Sequence, residues 1–116
     1  MTSTLTVALG GAIGAALRHH VAGLVSAPWG TLTVNVVGSL LMGALVGWLA
    51  GTQSQLRLLL GVGVLGGFTT FSAFSLDAVR LLEARSYGTF AAYVGLSVGA
   101  SLAALFVGLL LARSLA

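Results

Sequence analysis

Gly66-Gly67-Phe68-Thr69-Thr70-Phe71-Ser72-Ala73-Phe74 lies inside an apolar segment that runs from about residue 56 to residue 84. That segment holds 29 residues. At about 1.5 Å per residue a straight helix of that length would reach roughly 43 Å, well beyond a hydrocarbon core of about 30 Å. Two glycines followed by two β-branched threonines weaken helix propensity at its centre. The stretch therefore predicts a helix broken near Gly66–Thr70. Broken backbone at membrane depth persists only where the freed groups find partners. Freed carbonyls at such breaks hold cations, and half-helix N-termini favour anions. The plainer alternative is a glycine kink with no ligand.

Charge defines what surrounds this segment. The 116 residues carry five Arg, no Lys, one Asp and one Glu. A soluble domain is about 25% charged, so roughly 29 charges would be expected. Hydrophobic residues make up 58%, which excludes disorder and an ordinary soluble enzyme. The surplus of five Arg over two acids is too sparse for a phosphate-binding patch, so no nucleic-acid partner is expected. Residues 19–56, 58–76 and 86–112 contain no charged side chain apart from histidine. The first of these stretches is split by Ser26-Ala27-Pro28-Trp29-Gly30, where proline ends one helix and opens the next.

The chain thus predicts an all-α membrane protein, one domain over 1–116, with four spans at about 4–25, 30–50, 56–84 and 88–112. The turns are 26–29, 51–55 and 85–87. Cysteine is absent, so no disulfide or thiolate metal site is expected. No basic group precedes the first apolar run, so that run is expected to be retained and not cleaved as a signal. With four spans, Arg57 and Arg113 lie on one side and Arg18, Arg80 and Arg85 on the other. Orientation follows the arginine bias of the loops, and here the bias nearly vanishes. Either the chain inserts both ways or a partner fixes its direction.

Polar residues within the spans are few. Asn35 offers two N–H donors and one acceptor, either for an interhelical hydrogen bond or as an anion ligand. Phe71 and Phe74 are three apart and share a helix face. Such a pair usually packs a core, yet ring edges are electropositive and can face an anion. Ser72 adds a hydroxyl. Tyr93, Ser97 and Ser101 recur every four residues, with Thr89 one turn before. Back-bonding to the helix explains one such hydroxyl better than a row of them, and the row suggests a wet track. Arg18 ends the first span, either snorkelling to water or lining a vestibule. Asp77 and Glu83 each lie three residues from Arg80. The pairs Gly10/Gly14, Gly43/Gly47, Gly47/Gly51, Gly63/Gly67 and Gly95/Gly99 suit close helix contact. Gly61-Val62-Gly63-Val64-Leu65-Gly66 matches a dinucleotide fingerprint but lacks the strand that motif requires.

Three pieces resemble the Fluc (CrcB) family of fluoride channels. They are Gly10-Gly11-Ala12-Ile13-Gly14-Ala15 with Arg18, Gly30-Thr31-Leu32-Thr33-Val34-Asn35 with Gly38-Ser39, and the 66–74 stretch itself. The resemblance implies a passive fluoride-selective channel of the bacterial inner membrane that exports cytoplasmic fluoride. It implies an antiparallel, dual-topology homodimer with two pathways in the lipid bilayer. It also implies a central structural Na⁺ held by the backbone carbonyls of Gly66 and Thr69. Asn35, Phe71, Ser72, Phe74, Tyr93, Ser97 and Ser101 would line the fluoride pathway, with Arg18 and Asp77 in its vestibule. Two positions depart from the family's pattern. Ala73 stands where a hydroxyl residue is common, and His19 where an aromatic is common.

A small four-helix multidrug transporter has similar size, but it would need an acid in the first span, and no Asp or Glu precedes Asp77. A non-transporting scaffold subunit is the other alternative, in which the hydroxyl row and the break serve packing alone. No nucleophile–base pair suggests an enzyme.

Overall fold

The computed structural model describes residues 2–49 and 54–115. The expected turn 51–55 and the Gly47/Gly51 pair therefore fall largely or partly outside the described residues. Helix α1 spans Ser3–Gly23 and α2 spans Trp29–Trp48. The third rod is composite. A single turn α3 (Gln55–Arg57) leads into a π-helical stretch, Leu58–Leu65, and then into the short turn α4 (Gly66–Phe68). After Thr69–Phe71 the rod resumes as α5 (Ser72–Glu83), and α6 (Tyr87–Leu115) completes the chain.

Local chemistry sets the ends. Thr2 caps α1 by accepting the Leu5 N–H at 3.2 Å, and Ser54 caps α3 by accepting the Arg57 N–H at 3.2 Å. At the end of α5, Ser86 N–H donates to the Leu81 carbonyl and Arg85 N–H to the Leu82 carbonyl. This is a Schellman closure, with Arg85 at the left-handed position (φ 57°) where glycine is usual.

All described regular structure is helical. Three helical segments are long and apolar enough to cross a membrane: Trp29–Trp48, Gln55–Glu83 and Tyr87–Leu115. The 21-residue α1 is not among them, because threonines, glycines and the Arg18-His19-His20 end dilute its apolar character.

Glycine decides how the rods pair. A Cβ on Gly14 would collide with the Val64 carbonyl, and one on Gly10 would sit 2.8 Å from the Gly63 Cα. α1 thus lies backbone to backbone on the π-helical stretch. A Cβ on Gly43 would strike the Leu105 carbonyl, and one on Gly108 the Leu40 carbonyl, so α2 and α6 touch in the same way. Lipid tails supply no hydrophobic drive between helices, so such close contact must do the work. In both pairs the register rises together: residues 10 and 14 meet 63 and 64, and 43 and 47 meet 105 and 109. The fold is therefore two parallel helix pairs, connected so that the 24–28 and 84–86 turns share one end. Gly95 and Gly99 have nothing within 4 Å and point away from these contacts.

Among the described residues the largest fully buried side chains are Val34 and Tyr93. Large apolar side chains such as Leu102 and Phe106 stand outward, 68% and 61% exposed, as lipid contact requires.

Candidate functional site

The break is built by one side chain. Asn35, from α2, accepts the Thr70 N–H on Oδ1 at 2.8 Å and donates from Nδ2 to the Thr70 carbonyl at 2.9 Å. The amide thus pairs with a peptide unit as a neighbouring strand would. Freed backbone at membrane depth needs such a partner, and Asn35 is the only side chain type in α2 with both donor and acceptor in that geometry. The other Nδ2 hydrogen is not spent on Thr70.

This clamp has a consequence for the carbonyls upstream. In an unbroken helix the Gly66 carbonyl would receive the Thr70 N–H, and the Thr69 carbonyl the Ala73 N–H. The first donor goes to Asn35, and the second goes to Thr70 Oγ1 at 3.2 Å. Both carbonyls lose their helical donors. Thr69 itself is extended (φ −87°, ψ 158°), and its hydroxyl bonds back to the Leu65 carbonyl at 3.0 Å.

A cavity of about 590 Å³ opens beside the break. Asn35, Phe71, Phe74, Ser97 and Ser101 line it, and Gly66 and Thr69 form part of its wall. The Phe71 and Phe74 rings lie 5.3 Å apart, and Phe71 is 76% exposed. The hydroxyl oxygens of Ser97 and Ser101 are buried and have no hydrogen-bond partner among the described residues. Neither bonds back to its own helix. Two orphan hydroxyls on one wall are costly for packing alone, so their placement favours a polar guest.

Tyr93 lies at the head of this row. It is fully buried, its ring tilted against Phe74 at 5.4 Å and edge-to-face with Trp29 at 5.9 Å. Its hydroxyl donates to Asp77 Oδ2 at 3.2 Å. Asp77 thus takes its hydrogen bond from Tyr93, although its spacing also suited Arg80. A second cavity of about 400 Å³ brings Asp77 together with Arg18, the two expected vestibule residues. Thr70 lines both cavities and stands between them.

Some expected residues lie elsewhere. Ser72 is exposed, borders neither cavity, and its Oγ sits 3.3 Å from Thr70 Oγ1. Thr89 is exposed and does not extend the wall. Phe68, three residues before Phe71, is turned by the break into the core against Gly38. Sequence reasoning missed Ser39 and Thr70 in the larger cavity and Thr31 and His19 in the smaller. Their hydroxyl or imidazole groups were the available signal, but nothing in their spacing set them apart from back-bonded neighbours such as Thr33, which donates to the Trp29 carbonyl at 2.8 Å.

A helical membrane protein with a largely apolar cavity at a broken helix, carrying a few hydroxyls and an amide in its wall but no Arg or Lys, has the make-up of a channel. Comparison with known proteins narrows this. Residues 5–109 match the model of the family described as CrcB-like protein, Camphor Resistance (CrcB). Among curated relatives, the Novosphingobium aromaticivorans protein is 53% identical over the whole of both chains. The Hyphomonas neptunium protein is 52% identical, with 97% of each chain covered, and the Caulobacter vibrioides protein is 50% identical over the same share. All three are named fluoride-specific ion channel FluC. The chain belongs to the CrcB-like family. With its long apolar helices it is a multi-pass membrane protein, in bacteria one of the inner membrane.

Proposed function

We propose that the chain is a passive, fluoride-selective channel, not an enzyme, that lets cytoplasmic fluoride leave the cell. Its relatives' names point to this ion, and the observation that carries the reading is the pair of buried, unpartnered hydroxyls of Ser97 and Ser101 in the cavity beside Asn35. Fluoride is small and strongly hydrated, so it leaves water only where several donors replace its shell. The remaining Asn35 N–H and the two serine hydroxyls supply donors, and the Phe71 and Phe74 ring edges add weak positive potential. No Arg or Lys stands in this cavity, so the ion is not held too tightly to leave, as conduction requires. Arg18 and Asp77 form the vestibule, and Tyr93 links it to the hydroxyl row. Ser72, exposed at the break, would reach the pathway only at an interface with another subunit.

The reading extends to assembly. Four spans, with α1 as the least apolar, would place the 24–28 and 84–86 turns on one side. Two copies inserted in opposite directions would cover the open side of the larger cavity and give two pathways. The near balance of arginines between the sides supports this arrangement. Gly66 and Thr69, whose carbonyls have lost their helical donors, fit a monovalent cation such as Na⁺. Bound there, Na⁺ would supply the positive charge that the two freed carbonyls lack.

Purified protein in liposomes should release fluoride from a loaded lumen once a potassium ionophore carries the balancing charge, while chloride stays trapped. Equal chloride release, or electroneutral movement coupled to protons, would overturn the channel reading.

A further inference from the structure

The smaller cavity holds one titratable group that the pathway described above does not use. His19 lines it together with Arg18 and Asp77. From α1 the groups facing this cavity that bear or can gain charge are Arg18 and His19, and from α5 there is Asp77. The 24–28 turn and α2 contribute none, and α6 reaches it only through the Tyr93 hydroxyl on Asp77. His20 borders His19 at a ring distance of 5.5 Å but does not line the cavity. Arg80, Glu83 and Arg85 are exposed on the same end and do not line it either.

With His19 neutral, the wall carries one positive and one negative charge. With His19 protonated, it carries a net positive charge. Imidazole is the side chain whose ordinary titration falls between pH 5 and 8. A cavity wall of one sign raises the local concentration of the opposite ion.

We infer that His19 tunes anion entry, so that acidification strengthens fluoride collection at this mouth. The inference rests on the vestibule assigned above. One unit charge about 10 Å away in a largely aqueous mouth changes local anion concentration by about two-fold, less at high salt.

The test is electrical, because neutral HF crosses lipid without carrying current. Single-channel fluoride current in planar bilayers is recorded at symmetric pH 7.5 and 5.5, which makes insertion direction irrelevant. At low ionic strength the wild-type current should rise about two-fold on acidification, and the rise should shrink as an impermeant salt is added. His19→Gln should abolish the rise, His20→Gln should keep it, and His19→Arg should hold the raised current at both pH values. A wild-type current indifferent to pH, or a rise that survives in His19→Gln, overturns the inference while leaving the channel intact. The His19→Arg variant decides the matter if the glutamine variant does not fold. Absence of fluoride current from the wild type at both pH values would instead overturn the channel reading beneath it.

Discussion

Asn35 spends its amide on the Thr70 peptide with two good hydrogen bonds. Asn35→Ala would leave that peptide unpaired at membrane depth, a loss of about 1–3 kcal/mol. We expect a lower unfolding midpoint in detergent together with loss of fluoride flux. Ser97 and Ser101 behave oppositely, since their buried hydroxyl oxygens meet the geometry of no hydrogen bond among the described residues. Ser97→Ala should leave thermal stability unchanged or slightly raised, while fluoride flux falls by about ten-fold, the worth of one hydrogen bond of about 1.4 kcal/mol. A stability loss equal to that of Asn35→Ala would show that the serine packs the core instead. The hydroxyl row itself was visible in the sequence, because a four-residue period places Tyr93, Ser97 and Ser101 on one helix face. The partner of Asn35 was not, because Thr70 lies 35 residues away and only folding brings its peptide within reach.

Among the elements, the third rod shows both the reach and the limit of composition. Length and paired glycines foretold a break, and it falls at Thr69–Phe71, at the late edge of the expected stretch. The π-helical turns over Leu58–Leu65 were not foreseen. There Gly66 N–H reaches back five residues to the Gly61 carbonyl, and no residue type reliably announces that register. Glycine pairs were a weak signal taken singly, and the structure separates them. Gly14→Ala drives a Cβ into the Val64 carbonyl and should destabilise the protein by about 1–3 kcal/mol, seen as a drop in melting temperature. Gly99→Ala meets open space and should not destabilise the isolated subunit. At the end of α5, Arg85→Gly relieves a left-handed arginine and should stabilise the protein by about 1 kcal/mol, read in the same melting assay.

For the whole molecule, the arginine balance of two against three fixes no direction of insertion, and the proposed antiparallel pair requires both. The chain has no cysteine, so a Ser114→Cys variant carries one reporter at the C-terminal end. An impermeant thiol reagent added outside intact cells should label about half of it, and permeabilisation should expose the rest; labelling confined to one side would exclude dual topology. Sequence by itself determined the solvent and the coarse architecture: too few charges for water, apolar runs long enough for lipid, and turns where proline and polar residues interrupt them. Those properties are sums over neighbouring residues, so they survive without coordinates. Tertiary structure alone decided which polar groups are already satisfied and which remain available. Asn35, Thr69 and Thr33 all spend hydrogen bonds within the chain, whereas Ser97 and Ser101 find no partner among the described residues. That difference depends on what lies across the helix interface, and a bilayer offers no water to satisfy a group that the fold leaves unpaired.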